Sequence, residues 1–113
     1  MAHFRCLVQH DSMLCGIACL QMICEFHGRK YTSDFLSRLC FATVEGVSLL
    51  SINEAANKLG FHTVCARADI GTLSKAPLPC ILHWNQKHFV VLYKTRKGKK
   101  FYIADPGKGL IKY

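Results

Sequence analysis

The chain has 113 residues, of which half are apolar and 19% are charged. This length suits one domain with a core of its own, and this composition is typical of a globular protein, not a disordered one. The seven cysteines are an odd number in apolar surroundings, which indicates buried thiols in a reducing compartment and excludes a secreted disulfide scaffold. Neither a signal peptide nor a membrane-spanning stretch is present in the sequence. We therefore expect a single soluble domain over residues 1–113 that faces the cytosol.

The formal net charge of +8 raises the question of nucleic-acid binding. However, the sequence contains no glycine-rich phosphate loop, no CxxC pair and no aromatic RNA-binding motif. The densest basic cluster surrounds Gly98 between two apolar runs, and it consists of Lys94, Arg96, Lys97, Lys99 and Lys100. This pattern predicts a solvated hairpin tip, or a face toward an acidic partner or a membrane surface, and no nucleic-acid partner.

Apolar residues at helical spacing follow Cys15, which predicts the first helix of the chain. Gly28 is expected to end this helix as the residue after its C-cap, and Asp11 or Ser12 is expected to cap its beginning. The first helix therefore starts at a cysteine that follows a polar loop.

Two further helices are predicted before the middle of the chain. Thr32 or Ser33 is expected to cap a short helix that extends to Cys40. A third helix is expected to begin at Ser48 and to stop at Gly60.

The second half of the chain has the pattern of strands. The predicted strands are Phe61–Ala68, which alternates loosely, Cys80–Trp84, His88–Thr95 and Lys100–Ala104. The last two are apolar on both faces, as central strands covered from two sides are. Because helices come first and strands follow, we predict an α+β fold in which N-terminal helices pack on a mostly antiparallel C-terminal sheet.

Residues 9–16, Gln-His-Asp-Ser-Met-Leu-Cys-Gly, place Cys15 at the junction between the polar loop and the first helix. A helix N-terminus carries unpaired N–H groups and partial positive charge, so a sulfur in its first turn is favoured as the nucleophilic thiolate. The alternative is that Cys15 is one more buried core cysteine, the commoner fate of this residue type.

A base and an orienting group for such a nucleophile are present in the second half. His88 opens one predicted strand and Asp105 directly follows the next. A two-residue turn at Lys97-Gly98 would place Asp105 opposite Val90, with His88 two positions along on the same face. A four-residue loop keeps this arrangement, whereas a loop of odd length without a β-bulge destroys it.

Other interpretations of these residues remain open. A histidine beside aromatic residues is commonly structural, and an aspartate before Pro-Gly commonly forms a turn. The Cys15, Cys19, Cys24 and His27 set does not have the spacing of a closed zinc site, so we expect no metal. We expect Cys19 and Cys24 to lie in the core, and the sequence indicates only packing for Cys6, Cys40, Cys65 and Cys80.

Gln9 lies six residues before Cys15 and supplies a side-chain amide. Attack on a peptide carbonyl develops negative charge on oxygen, which an amide and the backbone N–H of Cys15 would stabilise. Gln9 is therefore the candidate oxyanion donor.

The box Gln9-x-Asp11-x-x-x-Cys15-Gly16, the strand His-Phe-Val-Val-Leu from His88 and the Asp-Pro-Gly from Asp105 occur together in this order. With these motifs the chain resembles the bacteriocin-processing cysteine peptidases, the N-terminal domains of peptidase-containing ABC transporters. The resemblance covers nearly the whole chain, and residues 47–61 also look like the family's third helix. It implies a papain-like fold with Cys15 as nucleophile, His88 as general base and acid, Asp105 as orienting carboxylate and Gln9 in the oxyanion hole.

The resemblance further implies a substrate, namely the leader peptide of a secreted precursor, cut after a double-glycine motif. The leader is expected to dock as an amphipathic helix, and Trp84 is a candidate wall of the glycine slot. The implied partners are transmembrane and ATP-binding domains of an exporter at the cytoplasmic side of the bacterial membrane, with ATP used there and no cofactor in this domain. The alternatives are a docking module that binds the leader without cutting it, and a basic adaptor with purely structural cysteines.

Overall fold

The computed structural model describes residues 4–8, 14–43, 46–63, 65, 69–84, 88–97 and 99–113. Helices precede strands, in the order α1 (Cys15–Phe26), α2 (Ser33–Leu39), α3 (Leu49–Lys58), α4 (Ile70–Leu73), β1 (Cys80–Trp84), β2 (His88–Arg96), β3 (Lys100–Asp105) and β4 (Gly109–Lys112). The strands form one antiparallel sheet in the order β1-β2-β3-β4. The predicted α+β class is confirmed. None of the described helices has the length and apolar composition needed to cross a membrane.

Helix α1 lies at the centre of the molecule. Its side chains from Ile17 to Leu20 are all buried, as are those of Met22 and Cys24. The helix packs on β2, α2 and α3, and it ends at the predicted place, with a positive φ of 80° at Gly28. Its N-cap position is occupied by Leu14. The prediction that Asp11 or Ser12 caps this helix is therefore wrong, and both residues lie outside the described part of the chain.

Side-chain hydrogen bonds begin the next two helices where the sequence predicts them. The Thr32 hydroxyl accepts from the Phe35 N–H at 3.0 Å, and the Ser48 hydroxyl accepts from the Ser51 N–H at 3.1 Å. Each bond satisfies one N–H that the helix cannot pair internally, which is why polar caps mark helix starts in a sequence.

The strand predicted at Phe61–Ala68 is wrong for its described residues, because none of 61–63 and 65 is in a strand. The Phe61 N–H donates to Ala56 O at 3.0 Å and so closes the end of α3 instead of pairing with another strand. The Phe61 ring lies 5.1 Å from the Arg29 guanidinium, in the position of a cation–π contact. Phe61 therefore packs on the helical core and not in the sheet.

The β2–β3 hairpin differs from its predicted turn but keeps the predicted alignment. Arg96 pairs with Lys100, so the connection has three residues instead of the two expected at Lys97-Gly98, of which Gly98 lies outside the described residues. A β-bulge between Leu92 and Lys94 compensates for this odd length, so that Val91 pairs with Ala104. The ends of the two strands near His88 and Asp105 therefore recover the predicted register.

The sheet is buried on both faces at its centre. Phe89, Val91 and Ala104 belong to the core beneath α1, whereas Val90, Leu92 and Ile103 form a second cluster on the opposite face with Leu73, Cys80, Leu82 and Phe101. The prediction that β2 and β3 are central strands covered from two sides is confirmed. Strand β4 and the short helix α4 are elements that the sequence analysis does not predict.

Candidate active site

His88 and Asp105 meet at the end of the β2–β3 hairpin. The Nε2 atom of His88 lies 2.7 Å from Oδ1 of Asp105, and the predicted proximity of these two side chains is confirmed. A carboxylate accepts hydrogen bonds, so Nε2 carries the proton and donates, which leaves Nδ1 as the basic nitrogen of the neutral ring. Asp105 is only 5% exposed, whereas His88 is half-buried. The pair is thus a histidine of fixed orientation beside a buried carboxylate.

The turn that follows β3 holds Asp105 in place. Oδ1 of Asp105 also accepts the backbone N–H of Gly107 at 2.8 Å, and the Asp105 carbonyl oxygen accepts the N–H of Lys108 at 3.0 Å. The Pro106 side chain between them is fully buried. The Asp-Pro-Gly segment therefore forms a turn, as the alternative interpretation expects, and this turn also positions the carboxylate.

Cys15 lies beside the start of β2 although 73 residues separate it from His88 in the sequence. Its Sγ accepts the backbone N–H of Phe89 at 3.4 Å, and the residue is 5% exposed. A backbone N–H directed at a sulfur suits a negatively charged acceptor. Because Phe89 directly follows His88, this bond brings the first residue of α1 to the strand that carries the histidine.

Gly16 permits this close approach between helix and strand. A Cβ atom at Gly16 would lie 2.6 Å from Cγ2 of Val47, 3.0 Å from Cδ1 of Ile52 and 3.1 Å from Cδ2 of Phe89. Real Cβ atoms essentially never show a contact of 2.6 Å, so a side chain at residue 16 would displace Val47 and would also press on Phe89 of β2. The Cys-Gly pair therefore combines the thiol with the space that it needs.

Several cysteine thiols are harder to ionise than an ordinary thiol because they are buried. Burial raises the pKa of the Cys19 thiol well above its usual value, and it raises the pKa to about 11 for Cys24, Cys40 and Cys80. The core positions predicted for Cys19 and Cys24 are confirmed. Cys65 is exposed, which corrects the expectation of buried thiols, and it is not in a strand although the sequence analysis placed it within one at Phe61–Ala68. No disulfide joins any of the seven cysteines, all of which are among the described residues.

Two contacts at this site were not found from the sequence. Cys6 Sγ donates to the Asp105 carbonyl oxygen at 3.7 Å, and the pKa of Cys6 is raised first by burial and second by the Asp105 charge. The second contact is the hydrogen bond that the Gly107 N–H donates to the Asp105 carboxylate. An Asp-Pro-Gly turn could have indicated the Gly107 bond, but nothing in the sequence pairs Cys6 with a residue 99 positions away.

Several predicted features lie outside what the structure describes. Gln9 is among the residues that are not described, and so is the side chain of Trp84. In the described part of the chain, no three His, Cys, Asp or Glu side chains are grouped as ligands for a metal ion.

The Peptidase C39 family matches residues 3–113. The colicin V secretion/processing ATP-binding protein CvaB of Escherichia coli is 34% identical over 102 residues, which are 90% of this chain and 14% of that protein. The Lactococcin-G-processing and transport ATP-binding protein LagD of Lactococcus lactis is 35% identical over 114 residues, 96% of this chain and 16% of that protein. The chain thus spans about one seventh of the length of these relatives.

Two solved structures share the fold. A double glycine motif protease from an AMS/PCAT transporter, crystallised with the leader peptide, is 34% identical with a TM-score of 0.90, covering 99% of this chain and 80% of that one. The peptidase domain of Streptococcus ComA, a bi-functional ABC transporter, is 28% identical with a TM-score of 0.86, covering 98% of this chain and 86% of that one. These likenesses confirm the predicted papain-like α+β fold and the predicted resemblance. The chain belongs to the Peptidase C39 family of cysteine peptidases.

Proposed function

We propose that this chain is a cysteine endopeptidase that cuts the leader of a secreted peptide precursor after a double-glycine motif. The observation that carries the proposal is the convergence of the Cys15 thiol, bonded to the Phe89 N–H, with the His88–Asp105 pair at the adjacent strand end. The similarity to a double glycine motif protease that binds a leader peptide supports the choice of substrate. The relatives named for processing together with secretion or transport support coupling to an ABC exporter.

Cys15 acts as the nucleophile in the proposed mechanism. Its thiolate attacks the carbonyl carbon of the second glycine, and the tetrahedral intermediate collapses to a thioester as the C–N bond breaks. Nδ1 of His88 takes the thiol proton and then donates it to the leaving amine. A water molecule, deprotonated by His88, hydrolyses the thioester and releases the leader with a free carboxylate.

Asp105 acts through His88 in this scheme. Its carboxylate accepts a hydrogen bond from the Nε2–H group, with Nε2 and Oδ1 2.7 Å apart, which fixes the tautomer with Nδ1 toward the reaction and stabilises the imidazolium ion. The Gly107 N–H holds the same oxygen, so the carboxylate cannot turn away without losing two bonds.

Gln9 is the proposed side-chain donor of the oxyanion hole, together with the backbone N–H of Cys15. The proposal rests on the motif that joins these residues, since Gln9 lies outside the described part of the structure. Such a donor is typically worth about 3–4 kcal/mol of transition-state stabilisation.

We place the domain at the cytoplasmic side of the bacterial membrane, where transmembrane and ATP-binding domains of the exporter would be its partners. ATP would be used by those domains, and the domain described here would need no cofactor, metal or nucleic acid. The glycines before the cut would enter a slot too narrow for side chains, for which Trp84 is the candidate wall. A leader-binding docking module without peptidase activity is the alternative function.

The two functions are separated by incubating the chain with double-glycine leader peptides and reading the cut site by mass spectrometry. Cys15→Ala is expected to abolish cleavage and to leave leader binding nearly unchanged, because helical docking does not need the sulfur. Cys65→Ala, which removes an exposed thiol, is the matched control and should cleave like the wild type. A wild-type chain that binds leaders without cutting them would establish the docking module instead.

A further inference from the structure

Most of the net positive charge of the chain is carried by its last three strands and their connections. Residues 88–113 contain seven of the 15 Lys and Arg residues but only one of the seven acidic residues, so they carry +6 of the formal +8. That acidic residue, Asp105, is buried against His88. The cations therefore have no acidic neighbour within their own segment that could neutralise them.

The strand register collects four of these cations on one face of the sheet. Tyr102 pairs with Lys94 on one side and with Lys112 on the other, and Arg96 pairs with Lys100. Cross-strand partners share a face, as do residues two apart on one strand. We call this surface the basic face, and it comprises the exposed side chains of Lys94, Arg96, Lys100 and Lys112.

The basic face is unfavourable for folding by itself. Like charges directly opposite each other on neighbouring strands are destabilising, and Arg96 lies directly opposite Lys100. The ion pairs between described residues are Arg5–Glu25, Arg38–Asp34 and His88–Asp105, and none of them includes the basic face. An external anionic surface would relieve this repulsion.

Apolar and aromatic groups accompany the cations. Leu110 is 57% exposed and lies two residues before Lys112, hence on the same face of β4. The Tyr102 ring lies 5.2 Å from the Lys94 ammonium group. Lysines that surround an exposed leucine and a tyrosine are typical of a surface that rests on lipid headgroups, with the apolar groups at the acyl boundary.

We propose that the basic face binds a membrane surface rich in anionic lipids. Six of the seven cations in residues 88–113 are lysines, which act as point charges and lack the forked geometry of arginine for reading bases. Arg96 is eight residues along β2 from His88, a distance of about 26 Å in an extended strand. The Arg96 end of the basic face therefore lies at the opposite end of β2 from the candidate active site. The proposal goes beyond the peptidase function and does not depend on it.

The test is co-sedimentation of the whole chain with phosphatidylcholine vesicles that contain or lack phosphatidylglycerol. Wild type should bind only the anionic vesicles, and more weakly as salt is raised. The first variant neutralises the basic face and should lower binding about a thousandfold, with the substitutions K94Q, R96Q, K100Q and K112Q. The matched control removes the same charge from exposed cations elsewhere and should retain most of the binding, with K30Q, R38Q, K58Q and K75Q.

Further readouts separate a specific face from other causes. Leu110→Ser should weaken vesicle binding without changing net charge, and removal of the cross-strand repulsion should leave the face variant at least as resistant to heat as wild type.

Equal loss of binding in the face and control variants would refute the proposal, because net charge alone would then explain it. It would equally be overturned if wild type ignored anionic vesicles, or bound a duplex oligonucleotide and no vesicle. Cleavage of a leader peptide in solution is measured separately, so failure of one proposal is distinguishable from failure of the other.

Discussion

Substitution of Gly16 by alanine tests whether close packing behind Cys15 holds the site together. The new Cβ would lie 2.6 Å from Cγ2 of Val47, where an ordinary carbon contact is about 3.5–4.0 Å. Val47 is β-branched and stiff at χ1, and the Phe89 ring on the other side is buried. The neighbours must therefore move by about 1 Å, and with them the Phe89 N–H that is bonded to Cys15.

Two effects of opposite sign determine the magnitude. Overpacking of a well-packed core costs about 1–3 kcal/mol, whereas Gly→Ala within a helix gains up to about 1 kcal/mol. We expect Gly16→Ala to lower the free energy of unfolding by about 1–2 kcal/mol, which corresponds to a fall in Tm of about 4–8 °C for a domain of this size. Cleavage should fall further than stability explains, because the thiol moves relative to His88.

Thermal unfolding followed by circular dichroism and leader cleavage below the transition are the assays. Gly71→Ala is the matched control, since its Cβ would meet only Asp69 Oδ1 at an ordinary 3.5 Å. Val47→Ala removes the nearest clashing atom, so the double variant with Gly16→Ala should be more stable than additivity predicts. A Gly16→Ala protein at least as stable as wild type, or an additive double variant, would refute the reasoning.

Three other predictions concern the titratable groups. Asp105→Ala should lower kcat by about a hundredfold with little change in KM, and Asp105→Asn, which keeps an acceptor oxygen for His88, should fall in between; an unchanged kcat would remove Asp105 from the mechanism. If His88 takes the thiol proton as proposed, iodoacetamide at neutral pH should modify Cys15 first, and modification no faster than at Cys65 would contradict that step. The free energy of unfolding should fall as pH rises from 9 to 11, because unfolded thiols lose protons near 9.0 while the folded chain holds the pKa at about 11 for Cys24, Cys40 and Cys80. This contribution is fully present below pH 9, and urea titrations should show a smaller fall when these three cysteines are replaced by alanine.

Predictions from the sequence were most accurate where a local interaction fixes the structure. The caps at Thr32 and Ser48 are bonds within one helical turn, so their signal lies within four residues. The end of α1 is also marked locally, by Gly28, which adopts a positive φ directly after the helix. The strand predicted at Phe61–Ala68 failed at its described residues, where Phe61 packs on the helical core, because a periodicity pattern cannot separate such packing from packing in a sheet.

The hairpin shows how a correct conclusion can depend on an incorrect detail. A turn at Lys97-Gly98 predicts the register of His88 and Asp105 from parity alone. The connection has an odd number of residues, and the bulge between Leu92 and Lys94 restores the parity. Nothing in the local sequence predicts the bulge. The strand pairing that the bulge preserves is predicted by the apolar runs, whose side chains must face the two cores.

The sequence by itself determined the end of α1, the starts of α2 and α3, the central strands and the joining of His88 to Asp105, because each of these depends on residues that a single turn or hairpin brings together. Only the tertiary structure decided that Cys15 lies against Phe89 and that Cys6 bonds to the Asp105 carbonyl, contacts that span 74 and 99 residues. It also decided that Lys94 and Lys112 share one face, since β4 had no pattern strong enough to predict it. Such long-range contacts follow from how the apolar faces of α1 and the sheet bury each other, which is a property of the whole chain and not of any segment of it.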